Sequence, residues 1–302
     1  MDKRIKIGFV WFGITGRYGI WKDGLWKAMQ HIEKVHDVRY FEPTDDIESY
    51  NPDIILFWEA LCTSQSKDKA MWDKVVNLPY KKALLFAGGP IKLEWALPFD
   101  HVFVESKINK EEFDALGVSN STAFGINEEI FYPENLEKLY DGIHHGTCAS
   151  WKRQWLVGEA VRERGLVVGR YQETDPMPFN RCKELGVTVL DEKQPEQIRT
   201  LLNQSHTCLQ TSEYWGGGQR CTLEALACNV PVICMTDSPK NREYVEESGC
   251  GLVVEPNAQN ISDAVIIAKS TDWGTRGIDY IKSKWTSRHY ADNLLKWINK
   301  HA

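Results

Sequence analysis

An α/β fold class, two mainly parallel sheets each flanked by helices, is predicted by three features of this sequence. Short apolar runs of strand length alternate with amphipathic helical segments from Ile5 to Ala268. Those runs end on Gly-rich or polar turns, where an open parallel sheet presents its ligand crevice. The alternation halts once, in the polar segment Pro133-Glu-Asn-Leu-Glu-Lys138, and restarts at Tyr140. Two domains are therefore expected: residues 1–134, rejoined by a C-terminal helix over 283–302, and residues 135–282.

In chain order, Ile5 to Trp11 alternates into a first strand, and Gly13, Gly16 and Gly19 punctuate the turn before a helix over 25–32. Gly13 and Gly16 are candidates for close approach to a ligand, although the spacing is not Gly-x-Gly-x-x-Gly and no Walker lysine follows. Strands over 38–41 and 52–58 come next, then a helix from about Lys67 to Val76 and strands over 82–87 and 100–106. Trp11, Trp58 and Glu59 stand at or just after strand ends, where ligands bind, and are candidates for ligand contact.

In the second half, strands are expected over 142–146, 166–169 and 185–190. Lys152 and Arg153 lie at the crossover from the first of these into a helix. Cations at a helix start are mildly unfavourable, which makes an anionic partner more credible there.

The richest stretch is Ser205–Pro256. His206 to Gln210 is a strand, Glu213 sits on the loop after it, and Gly216, Gly217 and Gly218 free the backbone before a helix beginning Gln219-Arg220-Cys221-Thr222. A helix N-terminus behind a glycine loop attracts anions. Leu223, Leu226 and Ala227 form the buried stripe, with Glu224 beside it and Asn229 as a left-handed cap. A final helical segment runs over 280–297.

Composition narrows the function classes. Formal charge is −6, with no lysine- and arginine-rich run, which disfavours a dedicated nucleic-acid binder. No Cys-x-x-Cys pair marks a metal site, and the cysteines read as reduced thiols. Met1 to Lys6 carries no apolar signal region and no run is long enough to cross a bilayer, so a cytoplasmic chain with at most peripheral membrane contact is expected.

The glycine loop, Leu223-Glu-Ala-Leu-Ala227, Pro231-Val-Ile233 and Gly251-Leu-Val-Val-Glu-Pro256 closely resemble the sugar-donor half of retaining glycosyltransferases of family 4. Gly125-Ile-Asn127 with Phe131-Tyr-Pro133 resembles the end of that family's first domain. The resemblance implies the GT-B fold, two Rossmann-like domains with a cleft between them, and transfer of a sugar from a nucleotide-diphosphate donor such as a UDP- or GDP-sugar. The reaction would retain anomeric configuration, with no metal and no separate cofactor.

Carried over residue by residue, Glu224 would hold the ribose hydroxyls and Glu213 would touch the donor sugar. Lys152 and Arg153, with the Gly217 and Gly218 amides, would stabilise the departing diphosphate. Gly216, Gln219, Arg220 and Thr222 complete the donor loop and first helical turn, Gly13 and Gly16 would add donor contacts, Val187 would contact the base through its backbone, and Trp11, Trp58 and Glu59 would stand on the acceptor side. The chain departs from the pattern twice. Ten residues separate Glu213 from Glu224 where the family has seven, so strict spacing puts Gly216 at the first acid, and Thr147 stands at the usual arginine. The competing classes are a nucleotide-sugar-binding protein without catalysis, a phage-type enzyme glycosylating DNA bases, and a Rossmann oxidoreductase, which would lack its glycine fingerprint.

Overall fold

The computed structural model describes residues 4–10, 22–42, 45–58, 72–86, 93–214 and 219–302. The chain forms two compact units, one from residues up to Gly125 together with Ser287–Ala302, the other from Ile126–Thr286. They divide at Gly125, ahead of the polar segment around Glu134, because Ile126 is already tied to the far end of the second unit. Its N–H donates to the Trp285 carbonyl at 2.9 Å, and it bridges Thr286.

In the first unit, strands β1 (Lys6–Val10), β2 (Asp37–Phe41), β3 (Ile54–Trp58), β4 (Lys81–Leu85), β5 (His101–Val104) and β6 (Asn120–Thr122) form one parallel sheet in the order β2-β1-β3-β4-β5-β6. Every residue of Ile54–Trp58 is buried, as expected of a strand covered on both faces. Helix α1 (Gly24–Glu33) starts where the Asp23 carboxylate accepts from the Trp26 N–H at 2.9 Å. Ser106 caps α2 (Lys107–Ala115) in the same way.

The second unit repeats the plan. Strands β7 (Tyr140–His145), β8 (Gly165–Val168), β9 (Thr188–Leu190), β10 (Ser205–Gln210), β11 (Val232–Met235) and β12 (Gly251–Val254) are parallel in the order β12-β11-β10-β7-β8-β9. The chain winds outward from β7 to β8 and β9, then returns to β10 on the other side. The strand order therefore reverses between β7 and β10, which is where doubly wound sheets bind ligands.

The helices of this unit are α3 (Trp155–Val161), α4 (Met177–Glu184), α5 (Pro195–Asn203), α6 (Gln219–Ala227), α7 (Pro239–Ser248), α8 (Ala258–Ser270) and α9 (Arg276–Lys284). Asn229, at φ 55°, ends α6 in the left-handed conformation expected of it, and Val230 returns its N–H to the Ala225 carbonyl at 2.9 Å.

Two expected elements differ. The apolar run 185–190 is a strand only over Thr188–Leu190, because α4 extends to Glu184 and Gly186 turns at φ 80°. The final helical segment is two helices, α9 and α10 (Ser287–His301), separated where Thr286 pairs with Ile126. Helix α10 leaves the second unit and packs on α1, burying Tyr290, Leu294, Trp297 and Ile298. Among the described residues, no helix is long and apolar enough to cross a membrane.

Candidate functional site

The candidate site lies at the C-terminal ends of β7 and β10, the reversal point of the second sheet. The ends of β7 and β8 approach closely there. Gly146 donates its N–H to the Val168 carbonyl at 2.9 Å, and a Cβ on Gly169 would stand 1.6 Å from the Gly146 carbonyl oxygen. Only glycine fits that crossing.

After Gly146 the chain reaches a single 3-10 turn over Ser150–Lys152, braced by Asp175, which accepts from the Ser150 N–H at 2.6 Å and its hydroxyl at 2.8 Å. Three hydrogen bonds tie this turn to the segment after β10. The Glu213 N–H donates to the Trp151 carbonyl at 3.1 Å, the Thr211 hydroxyl to the Lys152 carbonyl at 2.6 Å, and Arg153 Nε to the Thr211 carbonyl at 2.8 Å. Lys152, Arg153 and Glu213 are thus brought together, although Glu213 is 60 residues beyond Arg153 in sequence.

Arg153 is less available than its sequence position implies. Its guanidinium grips Asp237 with two parallel bonds of 2.7 Å, Nη1 to Oδ2 and Nη2 to Oδ1, and its own backbone is left-handed at φ 50°. Asp237 follows the end of β11 and was not among the sequence candidates.

Glu224 is 8% exposed on α6, and its Oε2 accepts from His145 Nε2 at 2.9 Å. His145 is the last residue of β7 and is 3% exposed. Cys221, one helical turn before Glu224, completes the group: one ligand-type atom from each of the three lies within 4.8 Å of the others. Burial alone would lower the His145 pKa, but the Cys221 charge, the nearby Cys208 and Cys221 sulfurs and the Glu224 carboxylate that accepts from it raise it well above 6.5. Burial would raise the Cys221 thiol, but adjacent His145 brings it below its ordinary 9.0. The neighbouring His144, on the opposite face of the strand, is fully buried and held well below 6.5, first by burial and then by the Lys152 and His145 charges.

The other candidates are placed differently. Thr222 is fully buried and donates to Asn241 Oδ1 at 2.8 Å, with Asn241 donating to Ser238 Oγ at 3.0 Å, so it braces α6 against α7 from inside. Val187 precedes β9 at the end of the sheet opposite the site. Its N–H goes to the Cys182 carbonyl at 3.0 Å and its side chain packs against α3 at Gly158, so that side chain belongs to the core. Arg220 is half-buried in the first turn of α6, and Gln219 begins that helix. In the first unit, Trp58 ends β3 at 8% exposure. Trp11, Gly13, Gly16, Glu59, Gly216, Gly217 and Gly218 lie outside the described residues.

His145 and Cys221 were missed although both carried a signal. A histidine ended a strand, and a cysteine stood three positions before Glu224, on the same helical face.

Two doubly wound parallel sheets in one chain define the GT-B fold. Residues 167–274 match the profile of the family described as glycosyl transferases group 1. No curated protein matches the chain in sequence. Among solved structures it is similar to a sucrose-phosphate synthase from Thermosynechococcus elongatus, at 14% identity and TM-score 0.76 over 98% of this chain and 99% of that one. It is also similar to a glycosyltransferase from Rickettsia africae, at 16% identity and TM-score 0.74 over 99% and 98%. HepE from Anabaena, in complex with UDP and glucose, matches at 13% identity and TM-score 0.73 over 98% and 100%. At these identities the likeness shows the fold.

Proposed function

We propose that this protein is a glycosyltransferase that moves a sugar from a nucleotide-diphosphate sugar to an acceptor. The sugar donor would bind at the C-terminal ends of β7 and β10. The observation that carries the reading is Glu224, held by His145 on the helix that follows the sheet reversal, inside the segment matching the group 1 family. The UDP and glucose bound by the similar HepE support the same ligand class.

With Oε2 held by His145, the second carboxylate oxygen of Glu224 is the one to accept from a ribose hydroxyl. As the bond to the sugar breaks, charge grows on the diphosphate. Lys152 and Arg153 would be the cations that meet it. Arg153 would turn from Asp237 to the phosphate as the donor arrives. The reaction is proposed to retain anomeric configuration, as in family 4, and to need no divalent metal. Glu213, tied by its backbone to the Lys152 turn, is proposed to face the transferred sugar.

The test is binding and turnover across a panel of UDP- and GDP-sugars, with and without EDTA. Turnover that survives EDTA is expected, and failure to bind or turn over any nucleotide sugar overturns the reading. Glu224→Ala is expected to weaken nucleotide binding by roughly tenfold or more, the equivalent of a charge-assisted hydrogen bond. An unchanged Kd in a folded variant removes the assignment.

A further inference from the structure

The chemistry at the candidate site contains more than sugar transfer uses. Among the seven described cysteines, Cys221 alone is partly exposed. Burial pushes the thiols of Cys148, Cys182 and Cys234 up to about 12 and that of Cys250 to about 11, which leaves them inert. Cys221 shifts the other way.

Its surroundings explain why. Cys221 is in the first turn of the nine-residue helix α6, where helix-end N–H groups favour an anion. His145 comes from β7, and Glu224 from the next turn of α6 holds that imidazole at 2.9 Å. The Lys152 charge also lowers the thiol from the turn after β7, and Glu224 opposes it. Gly146 lets the end of β7 come close to the sulfur: a Cβ there would lie 3.4 Å from Cys221 Sγ. Two elements thus supply a cysteine, a histidine and an acid, with Glu224 accepting from His145 and Cys221 Sγ within 4.8 Å of both, the set of groups that can make a sulfur nucleophilic.

We propose that Cys221 is a covalent modification site for small disulfides, and that the adduct blocks the sugar-donor site. The blocking half rests on the function proposed above; the modification half does not. The Cys221 proton moves to His145, and the thiolate attacks one sulfur of the disulfide. A new S–S bond forms as the old one breaks, and the leaving thiolate carries away the electron pair and takes up a proton from solvent. One disulfide is consumed and one thiol released, with no further oxidant. The mixed disulfide would stand beside Glu224, and a reducing thiol would remove it.

The experiment treats the full-length protein under native conditions with the chromophoric disulfide 5,5′-dithiobis(2-nitrobenzoate), following thionitrobenzoate release and assigning the adduct by peptide mapping, which also resolves Cys62. A single fast phase on Cys221 is expected at pH 7, roughly tenfold faster than glutathione under the same conditions, with a rate midpoint below the ordinary thiol range. His145→Gln should slow that phase about tenfold and move its midpoint up, while Cys221→Ser removes it. Reaction of Cys221 no faster than glutathione, or an ordinary thiol midpoint in the wild-type protein, overturns the proposal without any variant having to fold.

A parallel run with saturating UDP separates the two readings. Protection by UDP supports a shared site. Fast Cys221 labelling that UDP does not slow leaves the modification site standing and removes its overlap with the donor site.

Discussion

The Arg153–Asp237 pair gives the site an internal competitor for its own cation. Both partners offer planar, bidentate geometry, which is also how a guanidinium grips phosphate. Asp237 is substantially exposed, with 44% of its side chain in solvent, so the pair is worth about 1 kcal/mol or less. In the proposed donor complex a diphosphate, with more charge, would displace it. Asp237→Asn is expected to lower the KM for the nucleotide sugar by a few-fold, up to about fivefold, with kcat little changed. Measured donor kinetics that do not move would show that Arg153 stays away from the phosphate.

At the scale of elements, much of the fold was legible because each strand and helix announces itself locally. Asn229 capped α6 as its type suggests, and the polar turns marked strand ends. What escaped was set by partners distant in sequence. The break between α9 and α10 follows from Thr286 meeting Ile126, and nothing near residue 286 reveals it. His145 meets Glu224 across 79 positions, a pairing visible only once β7 and β10 are known to be neighbours. The strand expected over 185–190 begins only at Thr188, a start that the apolar run conceals.

The crossing of the β7 and β8 ends supplies an element-scale test. In Gly169→Ala the new methyl group would meet the Gly146 carbonyl, a backbone atom that cannot turn aside. A loss on the order of 2–4 kcal/mol is expected in urea unfolding, together with weakened nucleotide binding because His145 and the Lys152 turn move with β7. Stability within 0.5 kcal/mol or so of the parent would mean that the strand ends are free to separate.

Across the whole molecule, the first unit depends on the last residues of the chain. Trp297 of α10 stacks on His101 of β5 at 5.5 Å and meets Phe103 edge-on at 6.0 Å. His101 bonds to the hydroxyls of Ser119 and Ser121 at 2.9 and 2.8 Å, and burial, then the His301 and Lys300 charges, lower its pKa to about 4. Above the ordinary 6.5 its contribution to stability is complete. As pH falls from there to about 4, the unfolded chain takes a proton that the folded chain refuses, and that contribution is lost. On the order of 2 kcal/mol is expected after discounting for solvent screening. Calorimetry from pH 7 to 4 should show a shallower fall in Tm for His101→Gln, and parallel curves would remove His101 from the account.

The second unit is inserted into the first, entering at Ile126 and leaving at Thr286, and this sets an order of events during synthesis. A ribosome that has released residue 286 has delivered every strand and helix of the inserted unit. The unit begun earlier still lacks α10, so the face of α1 that α10 will cover remains bare. Nascent domains fold as their sequence becomes complete. Here the half translated later can finish first, and the half translated first must wait for the final fifteen-residue helix to emerge.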